Sequence, residues 1–232
     1  MRSDYAGNLD NRLQAVLLAA LALSAMLYPL VIGRLAQHFG IRPIAALFAV
    51  AGAFSAMRAA DTRSRVFRIA ATVPPAAAAV SGSLAALLWV PAMLYANLAM
   101  LFLESLSGPA PLVLLAAKAI QPAVPHFVAP YCRRLTLLWG IVFAVNAIVL
   151  SIAAWALSPA AWERIAGTGL WAWMGAITVV EFFVRKTYFR NYWYRGPFER
   201  FWSRLFPAEA TPMGRRSAEY IRETRRKLGL DD

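Results

Sequence analysis

The feature that most constrains this chain is a set of long segments without a charged side chain. Residues 135–157 form one run of 23 residues, and residues 69–103 form another of 35. A helix needs about 20 mainly apolar residues to cross the hydrocarbon core of a bilayer. The whole chain is 60% hydrophobic and only 16% charged, whereas a soluble domain is about half apolar and a quarter charged. The sequence therefore excludes a soluble enzyme and a disordered chain, and it predicts an integral membrane protein.

The hydrophobic runs predict about six transmembrane helices, near residues 13–33, 42–58, 69–87, 90–106, 135–157 and 165–184. The 35-residue run is too long for one crossing, so we divide it at Trp89-Val90-Pro91, because a proline disfavours the helical conformation of the residue before it. The runs are continuous rather than alternating, which indicates a helical bundle and not a barrel. The predicted fold class is all-α: a polytopic helical membrane protein with amphipathic helices at its cytoplasmic C-terminus.

The charge distribution predicts the orientation of this bundle. The chain carries 24 Lys and Arg against 12 Asp and Glu, a net charge of +12. With six spans, one side of the membrane holds the tail from Arg185 onward, with half of the basic residues, and also Arg2, Arg12, Arg58, Arg63, Arg65, Arg68, Lys118, Arg133 and Arg134. The other side holds only Arg34, Arg42 and Arg164. The positive-inside rule therefore places both termini in the cytoplasm.

Residues 107–131 are predicted to lie at the membrane surface rather than to cross it. They contain six prolines or glycines, and the apolar stretch between these, LVLLAAKAI at 112–120, is too short to span. We expect a short interfacial or re-entrant helix. The alternative is an apolar loop that lies on its own bundle.

The tail, residues 187–232, begins with aromatic and basic residues. Residues 197–206 place apolar side chains at i, i+3, i+4, i+7 and i+8, which predicts an amphipathic helix in the membrane plane. Its arginines suit an anionic cytoplasmic leaflet. A partner protein that covers the same face is the competing interpretation. The predicted interface residues are Trp193, Phe198, Phe201, Trp202, Leu205 and Phe206.

A soluble helix is predicted at about residues 213–228. Thr211-Pro212 has the pattern of a helix start, with a hydroxyl cap followed by a proline in the first turn. Glu223 can pair with Arg226 or Lys227, three and four residues later.

The sequence contains no recognisable constellation for catalysis or metal binding. The two histidines, His38 and His126, are predicted on opposite sides of the membrane, and Cys132 is the only cysteine. We therefore predict no catalytic residue, no metal site and no cofactor. Nucleic acid is not an expected partner, since the basic residues flank spans and no binding motif is present.

Polar residues within the spans are the remaining candidates for a functional site. Glu181 and Arg185 are spaced for an i, i+4 ion pair at the cytoplasmic edge, and the alternative is a role for Glu181 in handling a substrate or proton. Asn97 and Asn146 lie deeper, where hydrogen bonding between helices is the default role. Tyr131, Arg133, Arg134 and Trp139 form a collar at the start of the fifth span. The collar suits either a lipid phosphate or carboxylate, or an ordinary membrane anchor.

At this collar the sequence resembles a known family. The stretch YCRRLTLLW at 131–139, with Phe143 and Asn146, resembles the signature Y-T-R-R-V-T-x-V-W-x(3)-F-x(2)-N of a small inner-membrane protein family encoded in bacterial aryl polyene (xanthomonadin-type) lipid clusters. Pro91, Asn97, Gly108-Pro109, Trp155, Trp162 and the segment 181–186 extend the likeness over residues 88–190. There is a more distant likeness to septation-type inner-membrane proteins. Cys132 and Val180 depart from the pattern, and the segment 112–120 lacks its usual charges.

The resemblance implies a pathway context in the bacterial inner membrane rather than a mechanism. The leading hypothesis is a non-enzymatic accessory protein for envelope acyl-lipid biosynthesis. It would hold a lipid intermediate or dock acyl-carrier and other lipid-biosynthesis proteins, with membrane lipids as its constant partner. A lipid transporter or flippase, a structural subunit of a larger membrane complex, and a membrane enzyme are the alternatives.

Overall fold

The computed structural model describes residues 35, 38–57, 62–120, 124–192 and 196–227. Over these ranges the chain is helical and forms no strand, so the predicted all-α class is confirmed for this part of the protein. The helices are α1 (Ile41–Met57), α2 (Thr62–Ser81), α3 (Leu84–Leu87), α4 (Val90–Ser105), α5 (Leu112–Ile120), α6 (Ala129–Ala156), α7 (Pro159–Arg164), α8 (Leu170–Phe189), α9 (Pro197–Leu205) and α10 (Pro212–Lys227). Short 3₁₀ turns occupy His126–Val128 and Ala208–Ala210, and a π-helical turn joins α7 to α8 at Ile165–Gly169.

Three helical segments among the described residues are long and apolar enough to cross a membrane: Leu84–Ser105, His126–Ala156 and Pro159–Phe189. A shorter apolar helix covers Ile41–Phe54. The predicted count of six is not reached by this measure. The predicted first span, residues 13–33, lies outside the described residues.

The 35-residue run is divided at two places. A turn at residues 88–89 separates α3 from α4, where the sequence predicted a division. A further break, which was not predicted, lies at Gly82 and Ser83, where Gly82 takes a left-handed φ of 70° and Ser83 is extended. From Leu84 onward the backbone is almost continuously helical through the expected turn, since the Met93 amide donates to the Trp89 carbonyl over 3.1 Å. Pro91 is tolerated there because it lies in the first turn of α4, where its missing N–H has no partner to lose. Residues 84–105 thus form one helical segment of 22 residues. The apolar part of α2 is short, because the first two turns of this helix carry arginines.

The segment up to Trp171 forms one unit, in which α1 packs on α2 and α4 packs on α6. The α4–α6 pair buries Tyr95 and Leu98 of α4, and Phe143 and Leu150 of α6. The opposite face of α6 exposes large aliphatic side chains at Leu137, Leu138, Ile141, Val145, Ile148, Val149 and Ile152. An exposed aliphatic face on a helix this long is typical of contact with lipid.

A close approach between α4 and α6 occurs at Gly140. A Cβ atom at this position would lie 2.8 Å from Cδ2 and 3.0 Å from Cγ of Leu103. Small residues permit such approaches between membrane helices. The glycine therefore sets the spacing of the two helices.

Gly140→Val should destabilise the protein by about 2 kcal/mol, because an overpacked contact forces side chains and backbone apart. The matched control is Gly175→Val on α8, since a Cβ there would meet no described atom within 4 Å. Thermal unfolding of both variants in the same detergent measures the difference. Equal midpoints for the two valine variants would contradict the packing of α4 on α6.

The segment from Ala172 forms the second unit, with the C-terminal part of α8, α9 and α10. The predicted start of the last helix is confirmed: the Gly214 amide donates to the Thr211 hydroxyl over 3.1 Å, and Pro212 begins α10. The predicted pairing of Glu223 is also confirmed, with Lys227 at 2.7 Å. The hydrogen bond from Lys227 lowers the pKa of the Glu223 carboxyl.

Candidate functional site

The short helix α5 is fixed at its N-terminus by two hydroxyl groups. The first amides of a helix have no partner within the helix. The Leu112 amide donates to the Ser105 hydroxyl of α4 over 3.2 Å, and the Val113 amide donates to the Thr136 hydroxyl of α6 over 3.3 Å. Thr136 is fully buried and also donates to the Cys132 carbonyl. The predicted short helix is therefore present, and it is attached to both α4 and α6.

The collar at the start of α6 separates into an outer and an inner part. Arg133 and Arg134 are exposed, while Tyr131 and Trp139 are half-buried. The Trp139 ring lies 5.7 Å from the ring of Phe143. The structure thus places the arginines outside and the tryptophan against the α4–α6 core.

Phe143 is the centre of an aromatic cluster behind the collar. Its ring lies 5.1 Å from Phe102 and 6.1 Å from Tyr95, both on α4. Aromatic pairs at these separations stabilise the packing beyond the area they bury. Cys132, one turn before Thr136, is buried and is not available as a surface thiol. Trp139 is the half-buried member of this cluster, so it lies between the cluster and the surface.

The deeper polar residues have structural surroundings. The Asn97 side-chain amide donates to the Met93 carbonyl of its own helix over 2.9 Å, where a bond between helices was the expected default. Asn146 is buried on the face of α6 that packs inward. The predicted pair of Glu181 and Arg185 is present, with 3.3 Å between Arg185 Nε and Glu181 Oε1.

A second ion pair, which the sequence did not predict, holds α9 against α8. Lys186 Nζ lies 2.5 Å from Glu199 Oε1, and the two side chains are only 14% and 12% exposed. Lys186 also donates to the Asn191 carbonyl over 2.9 Å and lies 5.5 Å from the centre of the Tyr192 ring. Thirteen residues separate the two partners, so no helical periodicity signals the contact. Together with α9, the end of α8 forms a C-terminal hairpin, of which the structure describes residues 182–192 and 196–206.

The Tyr192 hydroxyl closes this hairpin by donating to the Phe206 carbonyl over 2.5 Å. Burial raises the pKa of Tyr192, and the charge of Arg190 opposes that shift. A raised pKa means that the folded state favours the protonated phenol. Burial of the neutral phenol therefore favours the folded state fully below pH about 10, and this contribution is lost as the pH rises further.

The aromatic face of α9 is divided between two environments. The Trp202 ring lies 5.4 Å from Phe183 of α8 and 5.6 Å from Phe198, and it is half-buried. Phe198, Phe201 and Leu205 are 48%, 59% and 56% exposed. The half-buried Trp202 packs on Phe183 of α8, and the half-buried Phe206 packs on Trp202 with 5.1 Å between the rings. The predicted contact of residues 197–206 with the membrane surface stays a prediction. Trp193 lies outside the described residues.

No cluster of three or more His, Cys, Asp or Glu side chains suited to a metal ion occurs in the described ranges. No protein-family model, curated protein or solved structure matches the chain. Function is therefore inferred from the contacts of the chain's own residues.

Thr136→Val should destabilise the attachment of α5 by about 1 kcal/mol, because the half-buried Val113 amide loses its acceptor. The Thr136→Ser variant keeps the hydroxyl and should behave like the parent. Ser151→Ala is the matched control, since among the described residues the Ser151 hydroxyl donates to the Ala147 carbonyl of its own helix. Limited proteolysis of residues 107–125 in detergent measures the attachment, and unchanged protection in Thr136→Val would refute the cap.

Proposed function

We propose that this protein is a six-span protein of the bacterial inner membrane, with both termini in the cytoplasm. Three apolar helices of sufficient length and a shorter fourth support the membrane location. The exposed aliphatic face of α6 supports it independently. The distribution of basic residues supports the orientation.

We propose further that it is a non-enzymatic accessory protein of envelope acyl-lipid biosynthesis, of the aryl polyene type that the collar signature resembles. The observation that carries this proposal is the order of groups at the collar. Two exposed cations, Arg133 and Arg134, are followed about one to two turns later by Trp139 at the edge of an aromatic cluster. An acyl chain with a carboxylate or phosphate end combines the two chemistries that this order would bind.

The hydrogen bonds of the other polar groups favour an accessory role over catalysis. The Thr136 hydroxyl caps α5, the Asn97 amide bonds its own helix, and Glu181 pairs with Arg185. The first contact joins two helices, and the other two lie within one helix, so each supports the helical framework. Holding a lipid intermediate, or presenting it to soluble acyl-carrier enzymes, requires only a well-ordered surface of this kind.

The test is deletion of the gene followed by profiling of the envelope lipids. We expect the acyl-lipid and pigment fraction to fall, and to return with the parent gene but not with the double variant Arg133→Gln, Arg134→Gln. Both arginines are exposed, so the variant should still fold, and its level in the membrane is the control. An unchanged lipid profile in the deletion strain would overturn the accessory role.

A further inference from the structure

We infer that the outward face of α9 is a docking surface for an anionic lipid bilayer, and that the Lys186–Glu199 pair orients this face before it meets the lipid. The face consists of Phe201 and Leu205, with Arg200 and Arg204 beside them. Phe198 lies at its margin, since its ring is 6.5 Å from the Phe182 ring of α8. The inference rests on the proposed membrane location but not on the acyl-lipid role.

The height of α9 relative to the bilayer is set by its contacts with α8. The rings of Trp202 and Phe183 are 5.4 Å apart, and Glu199 pairs with Lys186 one turn further along α8. Phe183 belongs to a helix that is long and apolar enough to span. The neighbouring Val184 is itself half exposed. These contacts place α9 beside the end of the apolar part of α8, which is the level of a headgroup boundary.

The rotation of α9 about its axis is set by the same two contacts. Successive residues of a helix are about 100° apart. Trp202 and Glu199 therefore share one edge of the helix, and both face α8. The opposite edge carries Phe201 and Arg204, about 60° apart. Arg200 and Arg204 are about 40° apart, and both lie on one side of Phe201, on the edge that faces away from α8.

Charge complementarity selects an anionic bilayer as the occupant of this face. Glu199 is the only acid in α9 and is already paired with Lys186, so Arg200 and Arg204 give the outward face its charge. Both arginines are exposed. Aromatic and leucine side chains beside arginines match the acyl and phosphate layers of a leaflet, and each arginine is worth about fivefold in binding to a surface rich in anionic lipid.

The experiment uses the full chain with Cys132→Ala and a single new cysteine, Phe201→Cys, labelled with the fluorophore NBD. The protein is placed in nanodiscs of phosphatidylcholine, with or without phosphatidylglycerol. We expect lipid-borne spin labels to quench the fluorophore, and aqueous iodide to quench it weakly. The lipid quenching should increase with phosphatidylglycerol and lose that increase in the Arg200→Gln, Arg204→Gln background. A label at Glu219→Cys on the exposed face of α10 is the control for iodide access.

Three results would overturn the inference. Quenching by iodide alone would show a face in water. Protection from both quenchers would show a face covered by protein, either a partner or a second copy. Equal lipid quenching with and without phosphatidylglycerol would show that the face does not require anionic lipid. None of these results depends on the lipid profile of the deletion strain, so the two proposals fail separately.

Discussion

Ile148→Arg should prevent α6 from settling in the membrane. Ile148 lies near the middle of the long apolar segment of α6, and its side chain is 59% exposed on the aliphatic face. An arginine at the centre of a transmembrane helix costs about 2.5–3.5 kcal/mol of insertion free energy. We therefore expect a loss of about 100-fold in the ratio of inserted to non-inserted segment. Labelling of an Ala160→Cys cysteine by a membrane-impermeant maleimide in intact spheroplasts, in the Cys132→Ala background, measures the inserted fraction, since residue 160 follows α6 and is exposed.

The matched control places the same residue at a different depth. Leu138→Arg lies on the same exposed face but one turn after Arg134, where the arginine can extend to the headgroups. We expect Leu138→Arg to leave the labelling of Ala160→Cys unchanged. If Ile148→Arg also leaves that labelling unchanged, the aliphatic face of α6 does not lie in a bilayer.

Lys186→Met should release α9 from α8. The substitution leaves the Glu199 carboxylate buried, and its second oxygen, Oε2, already has no hydrogen-bond partner in the described part of the chain. Removing one partner of a buried ion pair costs about 3 kcal/mol or more. The hairpin should then open often enough for chymotrypsin to cut at the aromatic residues of α9. Pulse proteolysis in detergent measures the change in the free energy of opening.

Two controls separate the buried pair from charge in general. Lys227→Met removes a lysine from a pair whose side chains are 72% and 63% exposed, and we expect almost no effect. The double variant Lys186→Met, Glu199→Leu removes both charges and should recover most of the protection. A parent-like cleavage rate in Lys186→Met would mean that the pair does not hold the hairpin.

Features that depend on neighbours along the chain were predicted well from the sequence. The apolar runs predicted the helical class, and they located the end of the helix Ala129–Ala156 to within one residue but placed its start six residues late. The hydroxyl-proline pattern at Thr211 gave the start of α10, and the i, i+4 spacing gave the pair of Glu181 and Arg185. Each of these signals acts within one or two helical turns, so a single sequence contains it.

The break before α3 was not predicted because two local signals compete in that run. Pro91 disfavours a helical residue before it, but the first turn of a helix tolerates a proline. Gly82 can adopt the left-handed conformation that ends a helix, and α2 ends next to it. Composition alone does not decide between the two positions.

The contacts that build the candidate sites were not predictable in the same way. Thr136 and Val113 are 23 residues apart, and Lys186 and Glu199 are 13 apart. Such pairs meet only after separate helices have packed, and no periodicity connects them. The inward turn of Trp202 has the same origin, since a helical wheel shows one apolar face but not which part of it another helix covers.

The most direct test of the membrane account is the side of the bilayer on which the two ends of α6 lie. In the Cys132→Ala background, single cysteines at Ser107 and Ala160 precede and follow this helix, and both positions are exposed. A membrane-impermeant maleimide applied to intact spheroplasts should label Ala160→Cys at once, and Ser107→Cys only after the membrane is permeabilised. Labelling of both cysteines from the same side would contradict a transmembrane α6 and the topology built on it.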